Sequence, residues 1–411
     1  MSTTDVEARR LRRDGQQWFF DWMIQETGKV FHFQTDGRGP LPKAVRRHSM
    51  ISKHVGLGAR RMEKIADEER AAGHDATALA RYFDACTAYA TAQHTIMRTN
   101  DEKRYLHGAS IRCYDRVREL SPYHIGHLDI PWEDSVVSGN LHLCPGDEPK
   151  PLVFFIPGCD MTKEMYPHPQ LNHAHQRGLH IFSFDGPGQG ESNVRGIRLT
   201  ADNYERAASA AITHLLARPE VDADQLVVFG ISFGSFWALR VAAHDERVKA
   251  VAAPWASYCD KYHLMQEESP RYKQLFMYLT GAQDEDELDE IVEAMDMRDV
   301  VQRITCPTLE VTGEFDPRSP LEEVYELFDL LTCPAELWVF GDQHHKVSLT
   351  KPNSNTAAWQ GDMNELALDW LKDRIDGRQL PDERLITYLP AGGSGPVGAE
   401  HSTRRRWYED A

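Results

Sequence analysis

The chain has 411 residues, of which 41% are hydrophobic and 27% charged, and its formal net charge is −17. The length suits one large core with an accessory domain, and the composition is typical of a soluble globular protein. The acidity argues against a nucleic acid or an anionic membrane as partner, and no stretch approaches the ~20 apolar residues of a membrane helix.

Seven cysteines are scattered along the chain without a C-x-x-C pair. This pattern argues against a zinc site or a disulfide framework and fits a reducing compartment. The first residues contain no basic region followed by an apolar stretch, so no signal peptide is predicted. We therefore expect a cytoplasmic protein that acts on a small molecule and uses no metal and no organic cofactor.

Residues 1–122 are predicted to form a helical cap domain. Apolar residues recur at helical spacing over 78–92 and again over 104–120. Pro122 ends the second run, and no segment of this region alternates as a strand would.

Residues 123–376 are predicted to form an α/β core with a mostly parallel sheet. Two segments with mixed faces begin it, and short apolar runs typical of strands buried on both faces follow. The predicted strands lie at 127–130, 139–143, 151–157, 180–184, 225–229, 248–252, 308–312 and 335–340. Helical patterns separate the later strands, which indicates crossovers between parallel neighbours. These patterns lie at 204–216, 235–243, 321–331 and 357–375.

Two segments depart from this alternation. Residues from about 256 to 300, rich in Met, Tyr and acidic side chains, are predicted to form an inserted helical lid. Residues 377–411 are predicted to be a loosely ordered tail, because they contain a stretch rich in proline and glycine at 389–396.

A candidate nucleophile, Ser232, lies in the turn Gly-Ile-Ser-Phe-Gly at 230–234. The apolar strand before this turn and the helix after it are the context in which a G-x-S-x-G motif presents a reactive serine. The N-terminus of the following helix favours an oxyanion beside the hydroxyl. This pattern predicts that Ser232 is the nucleophile of an α/β-hydrolase fold.

The acid and the base of such a site follow the serine in chain order, each after a late strand. Asp316 comes just after the strand at 308–312 and is the preferred acid, and Asp260 is the alternative. The base is expected in the loop after the last strand, where His344 and His345 are adjacent. Comparison with a D-x-x-H pattern favours His345, whereas a G-x-x-H pattern favours His344.

The oxyanion hole is predicted to combine the backbone N–H groups of Phe233 and Cys159, the latter in the loop after the third strand. The turn at 185–192 lacks the Lys-Ser/Thr of a P-loop and is interpreted as a structural turn that lines the site. Trp255 and Tyr258 are candidates for contact with a largely apolar substrate, with packing inside the lid as the alternative.

Several segments together resemble one group of the α/β-hydrolase superfamily. This group includes 2,6-dihydroxypseudooxynicotine hydrolase, a fungal hydrolase that shortens a pigment precursor, and the fermentation-respiration switch protein. The segments are 88–93, 101–103, 157–164, 185–192, 230–234 and 313–316, together with the late histidine loop. The resemblance spans roughly residues 75–375.

The resemblance implies a helical N-terminal domain that covers the active site and often helps to form a homodimer. It also implies cleavage of carbon–carbon bonds beside ketones in several members. Carried over to this chain, it assigns Ser232 as the nucleophile, Asp316 as the acid and either His344 or His345 as the base.

The resulting hypothesis is a serine-dependent hydrolase that cleaves a ketone-type C–C bond or an ester of a largely apolar small molecule. The first alternative is a lyase or cyclase of natural-product biosynthesis that uses the same three residues for elimination. The remaining alternative is a non-catalytic ligand receptor on the same fold.

Overall fold

A helical region precedes the sheet. The computed structural model describes residues 44–255, 261, 264–265, 271–298, 300–351, 361–381, 383–397, 399 and 401–402. The first helices are α1 (Ile51–Ala71), α2 (Asp75–His94) and α3 (Asp101–Leu120), and their apolar faces form a hydrophobic cluster of their own. Asn100 caps α3, because its side chain accepts a hydrogen bond of 2.8 Å from the backbone N–H of Lys103. The prediction of a helical N-terminal region is confirmed.

Within the described part of the chain, nine strands form one sheet in the order β1-β2-β4-β3-β5-β6-β7-β8-β9. They are β1 (Ile125–Trp132), β2 (Ser135–His142), β3 (Lys150–Ile156), β4 (His180–Asp185), β5 (Val221–Gly230), β6 (Val248–Pro254), β7 (Thr308–Gly313), β8 (Ala335–Phe340) and β9 (Arg384–Leu389). β2 pairs antiparallel with β1 and β4, and every other pair of neighbours is parallel. The predicted α/β-hydrolase fold is confirmed.

Helices cover both faces of this sheet. They are α4 (Gly190–Val194), α5 (Asn203–Leu216), α6 (Phe233–His244), α7 (Arg271–Thr280), α8 (Glu285–Glu293), α9 (Leu321–Leu330) and α10 (Asp362–Ile375). Because side chains alternate along a strand, Phe154 of β3 packs in the cluster that includes α5 and α6, and Phe155 packs in the cluster that includes α10. None of the described helices combines the length and the apolarity that crossing a membrane requires.

Helices α7 and α8 occupy the predicted lid insertion between β6 and β7. The lid packs on the core near the predicted nucleophile, since the ring centroids of Phe276 in α7 and Phe233 in α6 lie 4.7 Å apart. Residues 256–260, 262–263, 266–270 and 299 of the predicted lid lie outside the described residues. The domain boundaries at 122 and 376 stay predictions.

The expectation of a loosely ordered tail from residue 377 is wrong for its first part. β9 pairs parallel with β8 over six residues, from Ala335 opposite Arg384 to Phe340 opposite Leu389. The segment Arg-Leu-Ile-Thr-Tyr-Leu buries every second residue, which is the period of a strand. The proline- and glycine-rich stretch begins only where β9 ends, so it marks the end of the sheet and not the start of disorder.

Candidate active site

Ser232 lies at a strained turn between β5 and α6. Its backbone has φ 55° and ψ −130°, a conformation that costs a residue with a side chain ~1–3 kcal/mol. A Cβ on Gly234 would lie 2.2 Å from the carbonyl oxygen of Ile156, and a Cβ on Gly230 would lie 2.1 Å from that of Gly234. The turn therefore requires glycine at both positions, because backbone packs directly against backbone.

The structure brings Ser232, His345 and Asp316 together. Ser232 Oγ lies 2.8 Å from His345 Nε2, and His345 Nδ1 lies 2.8 Å from Asp316 Oδ2. The histidine is 4% exposed and the aspartate 2%. An ionised carboxylate only accepts hydrogen bonds, so Nδ1 carries the hydrogen and Nε2 accepts the hydroxyl proton of the serine. A continuous chain of hydrogen bonds thus connects a buried carboxylate to the hydroxyl.

His344 points away from this chain. It is exposed, and its Nδ1 lies 3.2 Å from the carbonyl oxygen of Phe315. Of the two adjacent histidines, the structure places His345 at the serine. The alternative acid, Asp260, lies outside the described residues.

The acid loop after β7 and the histidine loop after β8 are tied to each other. Asp316 Oδ1 accepts the backbone N–H of Arg318 at 2.9 Å, which leaves Oδ2 directed at the imidazole. The carbonyl oxygen of Gln343 accepts the N–H of Phe315 at 2.9 Å. The side chain of Gln343 in turn donates to the carbonyl oxygen of Ser348 and accepts its N–H, at 3.0 and 2.8 Å.

Strand β9 supports the same pair of loops. Glu314 Oε2 accepts the backbone N–H of Asp342 at 3.0 Å and the phenol of Tyr388 at 2.9 Å. Because Tyr388 lies in the segment that was predicted to be a loosely ordered tail, this support was missed. The alternating pattern of apolar residues in β9 is the sequence signal that could have identified this strand.

The loop after β3 (residues 157–162, the β3 loop) passes beside the serine. A Cβ on Gly158 would lie 3.3 Å from the Cβ of Ser232. Cys159 follows in this loop and is buried, and Phe233 is the first residue of α6. Both residues predicted for the oxyanion hole therefore lie within one residue of this contact, and their role stays a prediction.

Gln189, which sequence reasoning did not single out, holds the β3 loop in place. Its Nε2 donates to the carbonyl oxygens of Pro157 at 3.2 Å and Gly158 at 2.9 Å. Its Oε1 accepts the phenol of Tyr204 at 2.6 Å, and the Tyr204 ring stacks on Trp237 with centroids 4.1 Å apart. The glycine-rich turn at 185–192 thus positions the β3 loop, and the glutamine inside it is the feature that indicates this role.

A buried ion cluster fixes the far side of the β3 loop. Lys163 Nζ lies 2.6 Å from Glu164 Oε1, 3.2 Å from Asp185 Oδ2 and 2.8 Å from Glu191 Oε2. Burial alone would lower the pKa of Lys163, but the three carboxylates raise it, so the ammonium stays charged. Burial also raises the pKa of Asp185 to about 6 against the opposing effect of Lys163.

One described group has the spacing of metal ligands. Side-chain atoms of His127, Asp129 and Glu191 lie within 4.8 Å of one another. Arg195 donates to Asp129 at 2.9 Å and to Glu191 at 2.6 Å, and Lys163 also lies 2.8 Å from Glu191, so both carboxylates already have cationic partners. This donor set does not favour a metal.

A narrow cavity lies between the N-terminal helices, the β3 loop and α7. Its described lining includes Lys103, Cys159, Met161, Gln189, Leu275 and Tyr278. Trp255 is not part of this lining and packs in the core cluster that includes α10. Tyr258 lies outside the described residues. Substrate contact by these two aromatics stays a prediction.

The comparison with protein families identifies the family to which the chain belongs. The sequence model of the esterase FrsA-like family matches residues 60–323. The chain belongs to this family. Its β3 loop, glycine-rich turn, serine turn and acid loop all lie inside the matched range, and the histidine loop lies beyond it.

Curated relatives of this FrsA-like chain are hydrolases by name. The chain is 28% identical to 2,6-dihydropseudooxynicotine hydrolase of Paenarthrobacter nicotinovorans over 276 residues, which are 66% of this chain and 72% of the relative. It is 31% identical to hydrolase LUC6 of a Fusarium species over 200 residues, which are 46% of this chain and 48% of the relative. The chain thus spans about half the length of some curated relatives that it matches.

A solved structure has the same fold. The crystal structure of 2,6-dihydroxy-pseudo-oxynicotine hydrolase superposes with a TM-score of 0.71 and 24% sequence identity, covering 82% of this chain and 92% of that protein. The family model and this superposition make the chain a member of the esterase FrsA-like family with an α/β-hydrolase fold.

Proposed function

We propose that this enzyme hydrolyses an ester, or a C–C bond beside a ketone, of a largely apolar small molecule through an acyl intermediate on Ser232. The observation that carries the proposal is the chain of two 2.8 Å contacts from Asp316 through His345 to the serine hydroxyl. A buried acid, an oriented imidazole and a hydroxyl at a strained turn together form the arrangement that activates a serine.

In the first half of the reaction, His345 Nε2 takes the hydroxyl proton while Ser232 Oγ attacks the substrate carbonyl carbon. The backbone N–H groups of Phe233 and Cys159 stabilise the resulting oxyanion. The tetrahedral intermediate then collapses, and the imidazolium gives its proton to the departing group. That group is an alkoxide oxygen for an ester or a stabilised carbanion for a β-diketone-like substrate.

In the second half, water attacks the acyl-serine. His345 removes a proton from the water and returns it to Ser232 Oγ as the acid leaves, so that the free enzyme is regenerated. Asp316 keeps the hydrogen on Nδ1 through both halves and stabilises the imidazolium when it forms.

The walls of the cavity support a substrate with an apolar part. Met161 of the β3 loop and Leu275 and Leu279 of α7 lie on its lining beside Cys159. The names of the relatives include both an esterase and a hydrolase of the small molecule 2,6-dihydropseudooxynicotine. Natural-product metabolism is the setting that we propose for this chain, and a genomic neighbourhood without biosynthetic genes would contradict it.

We also propose that the protein is a cytoplasmic homodimer. The six cysteines of the described residues are free thiols, which fits a reducing compartment. Light scattering coupled to size exclusion should give twice the mass of the 46.8 kDa chain, and a monomer mass would contradict the dimer.

A fluorophosphonate probe tests the proposed nucleophile. We expect the probe to label the wild type on Ser232, to fail with Ser232→Ala, and to label the Ser135→Ala control, whose serine is exposed at the start of β2. Turnover in H₂¹⁸O should place the heavy oxygen in the released acid. Labelling elsewhere, or a product without solvent oxygen, would contradict covalent hydrolysis, and the latter would favour the lyase alternative.

A further inference from the structure

Lys103 contributes a buried cation to the cavity beside the β3 loop. It comes from the first turn of α3, is 6% exposed, and lines the cavity together with Cys159 and Tyr278. A buried charge in a protein interior is normally paired with an opposite charge, because the loss of hydration is costly.

In the part of the chain that the structure describes, the partners of this lysine are uncharged. Its Nζ donates to the carbonyl oxygens of Ile96 at 3.0 Å and Gln93 at 3.3 Å, and it lies 4.2 Å from the ring centroid of Tyr278. Among the residues that the structure describes, no carboxylate oxygen lies within the 4.0 Å of an ion pair with Lys103. The carbonyls and the ring fix the position of the ammonium but supply no negative charge to balance it.

A second cation lies against the same ring. The guanidinium of Arg198 lies 5.9 Å from the ring centroid of Tyr278, and it donates to Asn193 Oδ1 at 2.5 Å. Within the described part of the chain, Arg198 has no carboxylate at ion-pair distance either. The carboxylate on the described cavity lining, Asp160, is not within that distance of either cation.

The overall charge makes this pair unusual. The chain has a net charge of −17, so carboxylates are abundant, yet among the described residues none forms an ion pair with either cation at Tyr278. Burial, with a smaller effect of Arg198, lowers the pKa of Lys103 to about 7. An anion bound at this position would supply the missing counter-ion and restore the full charge of the lysine.

We propose that the substrate carries an acidic group, a carboxylate or an ionised enol or phenol, that lies against Lys103 and Arg198 while its reacting carbonyl lies at Ser232. This inference rests on the proposed function for the position of the carbonyl. It adds an anionic end to the largely apolar substrate and makes Lys103 the residue that recognises it. The apolar side chains of Met161 and Leu275 line the same cavity as Lys103.

Calorimetric titration with a matched pair of probes tests this proposal. The probes are 4-phenylbutanoate and its uncharged analogue 4-phenylbutanamide, which differ mainly in charge. We expect the wild type to bind the carboxylate about tenfold more tightly than the amide, the discrimination that one charge-assisted contact supplies. That ratio should fall in Lys103→Met and be retained in Lys103→Arg.

Lys64→Met is the matched control, since this lysine lies on α1 with its side chain 78% exposed. Its ratio should equal that of the wild type. Because Lys103 also contacts carbonyls at the end of α2, each variant is first checked by thermal melting. If Lys103→Met does not fold, Arg198→Met, which is half-buried, provides the same comparison.

Equal affinity of the wild type for the two probes would overturn the proposal, as would an unchanged ratio in the folded variant. The outcome is separable from the nucleophile test, because binding requires no turnover. Labelling of Ser232 without discrimination between the two probes would contradict only the proposed anion site. Discrimination between the two probes without labelling of Ser232 would contradict only the proposed hydrolysis.

Discussion

His345 contacts Ser232 at 2.8 Å, whereas the adjacent His344 is exposed and contacts a backbone carbonyl. This difference predicts opposite outcomes for two neighbouring substitutions. His345→Ala should lower kcat by about 10³-fold or more, because the serine loses its base. His344→Ala should leave kcat near the wild-type value. Rates with 4-nitrophenyl butyrate measure both, and similar losses in the two variants would contradict the assignment.

Asp316→Asn should lower kcat by up to about 10⁴-fold while the protein stays folded. The amide can donate to Nδ1, which moves the imidazole hydrogen to Nε2 and removes the acceptor that the serine needs. The control is Asp342→Asn, an exposed aspartate in the histidine loop whose backbone, not side chain, contacts Glu314. Full activity of Asp316→Asn at pH 7 would exclude Asp316 as the acid.

Gly234→Ala should destabilise the protein by at least ~1–3 kcal/mol, because its new methyl group would lie 2.2 Å from the carbonyl oxygen of Ile156. Gly58→Ala in α1 is the matched control, since a methyl group there meets nothing within 4 Å. Removing an exposed helical glycine should stabilise by ~0.5–1 kcal/mol. Urea unfolding monitors both variants, and equal midpoints would show that the serine turn tolerates a side chain.

Gln189→Ala should lower kcat about 10- to 100-fold with a smaller effect on KM, because a β3 loop released from its two hydrogen bonds displaces the N–H of Cys159. An exposed glutamine, Gln170, provides the control substitution to alanine. A loss confined to KM would indicate that the loop contributes to binding and not to stabilisation of the transition state.

The preference for the anionic probe should fall as the pH rises from 6 to 8.5. Lys103 has a pKa of about 7, and only its charged form attracts a carboxylate, so the attraction weakens above that pH. The other charged or titratable groups on the described cavity lining are His94, Cys159, Asp160 and Tyr278. Next to this lining, Arg198 lies at the ring of Tyr278, Arg271 contacts His94, and the buried His107 interacts electrostatically with Lys103. Titrations at several pH values measure the ratio, and a ratio that rises with pH would contradict a role for Lys103.

The sequence predicted those features of the protein that depend only on residues close together in the chain. The period of apolar side chains located β3 to β8 and the longer helices between them, because periodicity is a property of a single element. The short helix α4 was not predicted, since its first residues were interpreted as a turn. The serine turn was also predictable, since its strand, glycines and helix are contiguous at 225–243. β9 was missed because a short alternating segment beside a proline- and glycine-rich stretch shows its strand character only when β8 is there to pair with it.

The amino-acid sequence by itself determined the fold class, the reactive turn of Ser232 and the order of acid and base, because each depends on local pattern or on chain order. The tertiary structure decided which of two adjacent histidines meets a serine 113 residues away, and which loops Gln189 and Glu314 hold. It also decided that Lys103 and Arg198 both lie at the ring of Tyr278. Each of these relationships joins residues of separate elements. The direction and the partners of their side chains are therefore set only when those elements pack together.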